Sequence, residues 1–502
     1  MRAALAHRSE PVDLEQSAPP GHADCAQDLG LSVLISTAAA ADPAIGPVVA
    51  WALAHPLTDR DAIAYRQAVL TDFLEHPDLL RELLATCTDA LDAQRAVRHA
   101  YFWVSEHPDA TLRRSVNMLN DLLPHLTRLR ELAVEHADDV RSSGVRQLFA
   151  DVRRDLDEAR LDALAVDLRV LAFDDGVSAD VGLGAGAGIA GYRLRRPRRR
   201  SRAERLSERM DRRRVVRASP TSDDGDHITA LRDQALTGVA TDLARATRHL
   251  VEFLEQLQIQ LRLFAGAVAL DRAVAALDLP RCFPEPQEPA THAADIRGLC
   301  NLDLALRGGR AVVGNDLVAE DRRAIVVTGA NNGGKSTFLR SLGQAQLLMQ
   351  AGFTVAASRF RTGVVQGVHT HFRRAEDETM TSGKLVEELE RMSALVDRLH
   401  SGALVLFNES FATTYELEGT RIASTIVRAL NEREVAVVYV THMFELVRWF
   451  IDDVPGSQCL IAGRVDDGRR TYRIRPGEPE RTSHALELYD AIVGRVGLEP
   501  TT

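Results

Sequence analysis

Apolar residues recur at three- and four-residue spacing through residues 31–175. Val69, Leu70 and Phe73 follow it, and so do Leu79, Leu80, Leu83 and Leu84. This pattern predicts a helical core-like domain. Pro56, Pro77, Pro108 and Pro124 punctuate it as helix starts and turns. The Leu-rich stretch Asn120–Leu171 predicts two further helices. Residues 1–30 are rich in Ala, Pro, Asp and His with little period, and predict a loose N-terminal tail. Residues 176–226 form an irregular Gly/Arg-rich insert, with short strands around Tyr192. From 227 no proline intervenes until Pro280, and Leu250, Leu254, Leu257, Leu261 and Phe264 step by four and three. That seam predicts one long helix, either core-facing or a coiled coil, with a Pro-rich linker completing the segment 227–290. Across 291–502 the period changes. Strand-length apolar runs at Ala324–Thr328, Gly363–Val368, Ala403–Phe407 and Val435–Val440 alternate with helical stretches. Such alternation predicts a mostly parallel sheet with helices on both faces.

Composition narrows the class. With 502 residues, 45% hydrophobic and 26% charged, the chain is neither fully disordered nor collagen-like. Aromatics are only 5%, so aliphatic side chains must build the core. A membrane span needs about 20 apolar residues. The best runs are broken by Asp42-Pro43 and by Asp271-Arg272, so no membrane association is expected. Arg2 and Arg8 are not followed by the apolar stretch of a secretory signal. Cys25, Cys87, Cys282, Cys300 and Cys459 form no close pair, which predicts reduced thiols and a cytoplasmic protein.

Charge is uneven. The net charge is −10, yet Arg193–Arg217 holds 13 Arg against Glu204, Glu208 and Asp211. This run is either a solvated loop or a contact for an anionic partner such as duplex DNA. Lysine occurs only at 335 and 384.

Both lysines fall in the segment that carries the chemistry. Gly329-Ala330-Asn331-Asn332-Gly333-Gly334-Lys335-Ser336 fits the phosphate-binding pattern GxxxxGK[ST]. The strand-like Ala324–Thr328 precedes it, and Thr337 opens a helix-like stretch. Glycines let backbone N–H groups face phosphate oxygens. Lys335 would reach the β- and γ-phosphates of ATP, and the Ser336 hydroxyl would ligate Mg²⁺. Ala403–Phe407 then ends in Asn408-Glu409, a Walker B layout with Asn in place of Asp. Asn408 would hold Mg²⁺ through water, and Glu409 is the candidate general base. A third strand, Val437–Val440, leads to Thr441-His442, where His442 could sense the γ-phosphate. Ser382 could cap an amphipathic helix bearing Leu385, Leu389, Met392, Val396 and Leu399. The expected fold is an α/β P-loop NTPase (ABC-like) domain at the C-terminus, preceded by an all-α core/lever region.

Residues 325–446 resemble the ATPase domain of the MutS family of DNA mismatch-repair proteins. The residues that carry this are Gly333-Gly334-Lys335-Ser336-Thr337, Gly352–Ala357, the Ser382 helix, Leu406–Ser410 and Thr441-His442-Met443-Phe444-Glu445-Leu446. Pro56-Leu57-Thr58-Asp59 with Tyr65-Arg66-Gln67 resembles the start of that family's helical core. The resemblance implies a homodimer with composite ATP sites. Each would combine the Walker motifs of one subunit with the Ser382 helix of the other. It also implies a helical clamp for duplex DNA, switched by ATP binding and serving repair or recombination. Several features depart from the family. Core-like sequence begins by about residue 50, which implies a shortened protein without the mismatch-reading and connector domains. Phe73-Leu74-Glu75 and Phe253-Leu254-Glu255 sit in helical periodicity and are not mismatch wedges. Phe411-Ala412-Thr413-Thr414 replaces a Gly-Arg-Gly-Thr-type loop, and Val312 stands where an aromatic stacks on adenine. Slow ATP hydrolysis is expected from Asn408. The alternative is a nucleotide-switched scaffold that binds a protein partner without DNA. No LSGGQ-like signature points to an SMC- or ABC-type ATPase.

Overall fold

The computed structural model describes residues 1–100, 108–172, 178–183, 189–195, 223–289, 291–320, 323–374, 383–464 and 470–479. Two compact units form, each discontinuous in sequence. One comprises Met1–Ala3, Arg81–Val140 and Arg146–Gln258, and the other Ala4–Leu80, Arg141–Val145 and Ile259–Thr502. In chain order come α1 (His22–Leu29), α2 (Leu31–Ala38), α3 (Ile45–Ala54), α4 (Arg60–Glu75), α5 (Pro77–Ala100), α6 (Pro108–Glu135), α7 (Ser143–Asp155) and α8 (Glu158–Leu171). Strands β1 (Ser178–Leu183) and β2 (Ile189–Arg195) and the long helix α9 (Asp223–Ala276) follow.

In the first unit, Leu112, Val116 and Leu119 of α6 pack with Leu168 of α8 and with Leu236 and Ala240 of α9. Pro124 does not mark a turn but lies inside α6. Its neighbours Leu122 and Leu126 are fully buried, so packing outweighs the lost hydrogen bond. This part of the chain is not all helix. β1 and β2 pair antiparallel, with Val181 opposite Tyr192.

The second unit continues with β3 (Glu285–Gln287), β4 (Ala294–Leu299), α10 (Leu302–Gly308), β5 (Asn315–Ala319), β6 (Ala324–Gly329), α11 (Lys335–Gln350), β7 (Arg359–Gly363) and β8 (Val368–Phe372). Then come α12 (Lys384–Val396), β9 (Leu404–Asn408), α13 (Glu416–Glu432), β10 (Ala436–Val440), α14 (Phe444–Asp453), β11 (Gln458–Arg464) and β12 (Arg470–Pro476). Six strands form one sheet in the order β12-β11-β6-β10-β9-β8. All of its pairs are parallel except β11–β12. The inner strands are apolar throughout because both faces are covered. Val405, Phe407, Val437 and Tyr439 pack with Val427 and Leu430 of α13 and Phe450 of α14. On the other face α11 approaches so closely that a Cβ on Gly343 would lie 2.8 Å from Leu406 Cδ1.

A second sheet, ordered β3-β7-β4-β5, was not expected from the sequence. Its strands are short, and β5 shows only a five-residue alternation of buried and exposed positions. The apolar run Gly363–Val368 is not a strand. It ends β7, begins β8, and otherwise connects the two sheets. Val364 and Val365 are buried there, and the Gln350 side chain supplies the missing ladder, accepting from Val365 N–H at 3.2 Å and donating to Val365 O at 2.8 Å.

The N-terminal segment is packed, not loose. Leu5, Ala6 and Leu29 are fully buried. Gln260 Oε1 accepts from Leu5 N–H at 2.7 Å and Ala6 N–H at 3.0 Å. The Arg66 guanidinium donates to Ala6 O at 2.9 Å and Ala351 O at 3.1 Å. Helix α1 sits against β8 and α11, where Arg340 donates to Asp28 O and Gln344 to Leu29 O, each at 2.8 Å. The segment lacks periodicity because remote side chains grip its backbone.

Asp59 opens α4 by accepting Ala62 N–H at 2.8 Å. Phe73 and Phe253 are core residues. The described cysteines are free, and no helix among the described residues is long and apolar enough to cross a membrane.

Arg66→Met leaves two buried carbonyls without their donor. Hydrogen bonds to charged groups contribute about 1.5–3 kcal/mol each. Residues 4–13 should then detach locally, and tryptic cleavage after Arg8 should accelerate roughly tenfold or more. Limited proteolysis followed by mass measurement reads this directly; cleavage at the wild-type rate contradicts it.

Candidate nucleotide-binding site

β6 ends at Gly329, and the loop to α11 turns through three residues with positive φ: Gly329 at 111°, Asn332 at 57° and Gly334 at 95°. Gly329 is required twice over, since a Cβ there would also lie 3.0 Å from Ala462 N of β11. Asn is among the few other residues that tolerate the left-handed region. The loop thus delivers Lys335 at the first turn of α11, where free backbone N–H groups and the helix dipole favour an anion.

Lys335 is buried, and its Nζ donates to Gly329 O at 2.8 Å and Ala330 O at 3.1 Å. Burial lowers its pKa, opposed by the nearby Glu409 carboxylate. Ser336 Oγ donates to Asn408 Oδ1 at 2.7 Å, joining the loop to the end of β9. Glu409 stands just beyond β9 at φ 56°, and its N–H donates to Val440 O of β10 at 2.9 Å. A non-Gly residue held there costs on the order of 1–3 kcal/mol, which the surroundings must offset. His442 Nδ1 donates to Glu409 Oε2 at 2.5 Å. That bond raises the His442 pKa above 6.5, while burial opposes the rise.

Lys335, Ser336 and Glu409 border a cavity of about 720 Å³. Asn331, Asn332, Gly333, Gly334, Lys335, Ser336 and Thr337 line one end together with Glu409. Gly329 contributes its carbonyl to Lys335 without lining the cavity. Asn408 and His442 stand one bond behind, through Ser336 and Glu409. Ser382 lies outside the described residues. Helix α12 begins at Lys384 with Gly383 at its N-cap and no side-chain cap. Of the Arg193–Arg217 run, the backbone of Arg193–Arg195 belongs to β2 and the remainder lies outside the described residues.

Leu304, Arg310, Val312, Val313, Asn315 and Tyr472 also line the cavity. Of these only Val312 had been singled out from the sequence. Tyr472 is half-exposed at φ 56°. Asn315 fixes it by donating to Tyr472 O at 3.2 Å and accepting Ile474 N–H at 2.7 Å. Nothing local marks Asn315 or Tyr472 as site residues, because a side-chain bond between strands of two different sheets, 157 positions apart, brings them together.

A phosphate loop backed by this Glu–His pair narrows the family, and the comparisons decide it. The family described as MutS2 N-terminal domain matches residues 58–277, and that described as MutS domain V matches residues 325–482. The chain belongs to the MutS family. It is 29% identical over 242 residues to the DNA mismatch repair protein MutS of Thermus aquaticus, covering 46% of this chain and 29% of that protein. Endonuclease MutS2 of Streptococcus gordonii is 30% identical over 178 residues, covering 35% of this chain and 23% of that protein. The matches therefore span less than a third of each curated relative. In this MutS-family chain the domain V match contains the phosphate loop, Asn408, Glu409, His442 and Tyr472.

The His442–Glu409 bond is favoured while the imidazole is charged. Its stabilisation is present below the ordinary imidazole pKa of 6.5 and is lost as pH rises through the raised folded value. Imidazole NMR should place the His442 midpoint above 6.5. In Glu409→Gln the midpoint should fall, since burial and Lys335 then meet only the weaker opposition of Glu416. A midpoint that does not move contradicts the assignment.

Proposed function

We propose that the chain binds ATP with Mg²⁺ in this cavity, hydrolyses it slowly, and works as a nucleotide-switched DNA-binding dimer in DNA repair or recombination. The observation that carries this is the convergence of Lys335, Ser336 and Glu409 on one cavity at the carboxyl ends of β6 and β9. The loop amides would cradle the phosphates, and Lys335 would exchange its two carbonyl partners for phosphate oxygens. Tyr472 offers the aromatic face for the base that Val312 does not. Glu409 would orient the attacking water and accept its proton, with His442 holding the carboxylate and sensing the γ-phosphate.

The residues fit Mg²⁺. Ser336 Oγ and Asn408 Oδ1 are oxygen donors 2.7 Å apart, the ligand type this cation takes alongside waters and substrate phosphates. When bound, Mg²⁺ supplies charge neutralisation at the β- and γ-phosphates. Asn408 brings no charge of its own, which is why slow turnover is proposed.

The names of the relatives, a mismatch repair protein and an endonuclease, support the repair class. In this reading 31–175 is the core-like domain, 176–226 the insert, 227–290 the lever and linker, and 291–502 the ATPase domain. Residues 4–30 belong to the compact unit that also holds 291–502. Ser382 of the partner subunit would complete each composite site of the homodimer, and Arg193–Arg217 would grip the DNA backbone. The free thiols suit a cytoplasmic setting. A protein-binding scaffold without DNA is the second reading. The acidic balance of the chain outside the arginine run favours it.

Steady-state ATP hydrolysis with and without duplex DNA tests the proposal. Turnover should rise with DNA, and Lys335→Ala should lower it by about a hundredfold or more. Absence of turnover in both conditions would count against the enzyme. Asn408→Asp should lower the Mg²⁺ concentration for half-maximal turnover by roughly five- to tenfold, since it adds a carboxylate ligand. Deleting residues 193–217 should weaken DNA binding and flatten its salt dependence. Unchanged affinity after that deletion would favour the scaffold.

A further inference from the structure

Behind the cavity, the turn after β9 is held by side chains that do not line it. Glu409 at φ 56° and Phe411 at φ 59° flank the fully buried Ser410. Two left-handed, side-chain-bearing residues so close together persist only where their surroundings over-determine them. Three neighbours do so here. The Tyr439 hydroxyl donates to Ser410 O at 2.7 Å. Ser410 Oγ donates to His371 O at 2.5 Å and lies 2.8 Å from His371 Nδ1, while His371 Nε2 lies 3.1 Å from Glu388 O. Glu388 Oε2 accepts Phe411 N–H at 3.0 Å and the Thr413 hydroxyl at 3.4 Å.

Glu388 is the unexpected member. It occupies the inward stripe of α12 with Met392 and Leu395 and is only 5% exposed, whereas Leu389 beside it is 40% exposed. A leucine at 388 would fill that space without burying a carboxylate. Burying one is costly unless its oxygens are satisfied. Here Oε2 takes both of its hydrogen bonds from the turn that carries Glu409.

We propose that Glu388 is a positioning residue for ATP hydrolysis. By gripping the Phe411 amide it holds the Glu409 backbone, and through it the carboxylate that faces the cavity. The inference rests on the hydrolysis reading and adds a residue to it. Its chemistry is geometric: Glu388 does not line the cavity, so it should affect turnover and leave binding alone.

The test measures kcat for ATP and, separately, the Kd of a fluorescent methylanthraniloyl-ATP for the full chain. Glu388→Ala should lower kcat roughly tenfold or more while Kd stays within about twofold. Glu388→Gln keeps one acceptor oxygen for Phe411 N–H and should recover kcat to within roughly three- to fivefold of wild type. Equal losses in kcat and binding, or a Glu388→Ala kcat within twofold of wild type, would overturn the proposal. Should Glu388→Ala fail to fold, Glu388→Leu, which fills the same space without an acceptor, decides in its place: a lowered kcat at constant Kd supports the proposal, and a wild-type kcat overturns it. Wild-type turnover no higher than that of Lys335→Ala would sink the hydrolysis reading and this inference with it. Normal wild-type turnover with an inert Glu388 would sink only the inference.

Discussion

Much of the second unit hangs on one constraint: backbone groups buried outside any ladder must still find partners. Helix α11, which begins at Lys335, meets that demand with a row of buried amides. Gln344 accepts Leu302 N–H at 3.0 Å and donates to Leu29 O at 2.8 Å. Gln346 donates to Gly363 O at 3.1 Å and to Gln350 Oε1 at 2.8 Å. Gln350 donates to Leu57 O and Val365 O, both at 2.8 Å. One helix thereby ties together the N-terminal segment, the entry to α4, the second sheet and the connection to the first. Replacing any of these amides with an apolar side chain would leave carbonyls stranded, so this interior is specified by polar geometry as much as by volume.

The parts of the fold that could be read in the sequence are those whose partners are local or periodic. The inner strands β6, β9 and β10 announce themselves as unbroken apolar runs because both their faces are covered. The phosphate loop is legible because its glycines answer to backbone geometry within a few residues. What escaped depends on long-range pairing. Tyr472 reaches the site through strand β12, and the N-terminal segment is held by Gln260 and Arg66, which no local pattern connects to it. The run Gly363–Val368 misled because burial, not strand pairing, explains its apolar character. Glu388 escaped for a related reason: periodicity along α12 marks an inward position but cannot say that a carboxylate will occupy it.

Charge at the site is sparse and paired. Lys335 is the only lysine in the chain besides Lys384. It sits near Glu409, and Glu409 bonds His442, so cation, carboxylate and imidazole form a line from the loop to the end of β10. The Glu409 carboxylate raises the pKa of both its neighbours, so its loss would be felt at Lys335 and at His442. Asn408 keeps this line from gaining a second carboxylate. The resting site thus carries less negative charge where phosphates would enter, at the expense of a charged ligand for a divalent ion.

The burial of residues 4–29 has a consequence for synthesis. Cys25 Sγ donates to Val368 O, 343 positions further along, and Gln344 reaches Leu29 across 315 positions. A ribosome adding about 5–20 residues per second needs roughly 20–70 s to make those partners. Leu5, Leu29 and Leu34, all fully buried in the finished protein, emerge long before those partners exist. The second unit cannot close around its own beginning until most of the chain has left the tunnel. Its nascent apolar surface therefore stays open to chaperones or to misassociation throughout that interval.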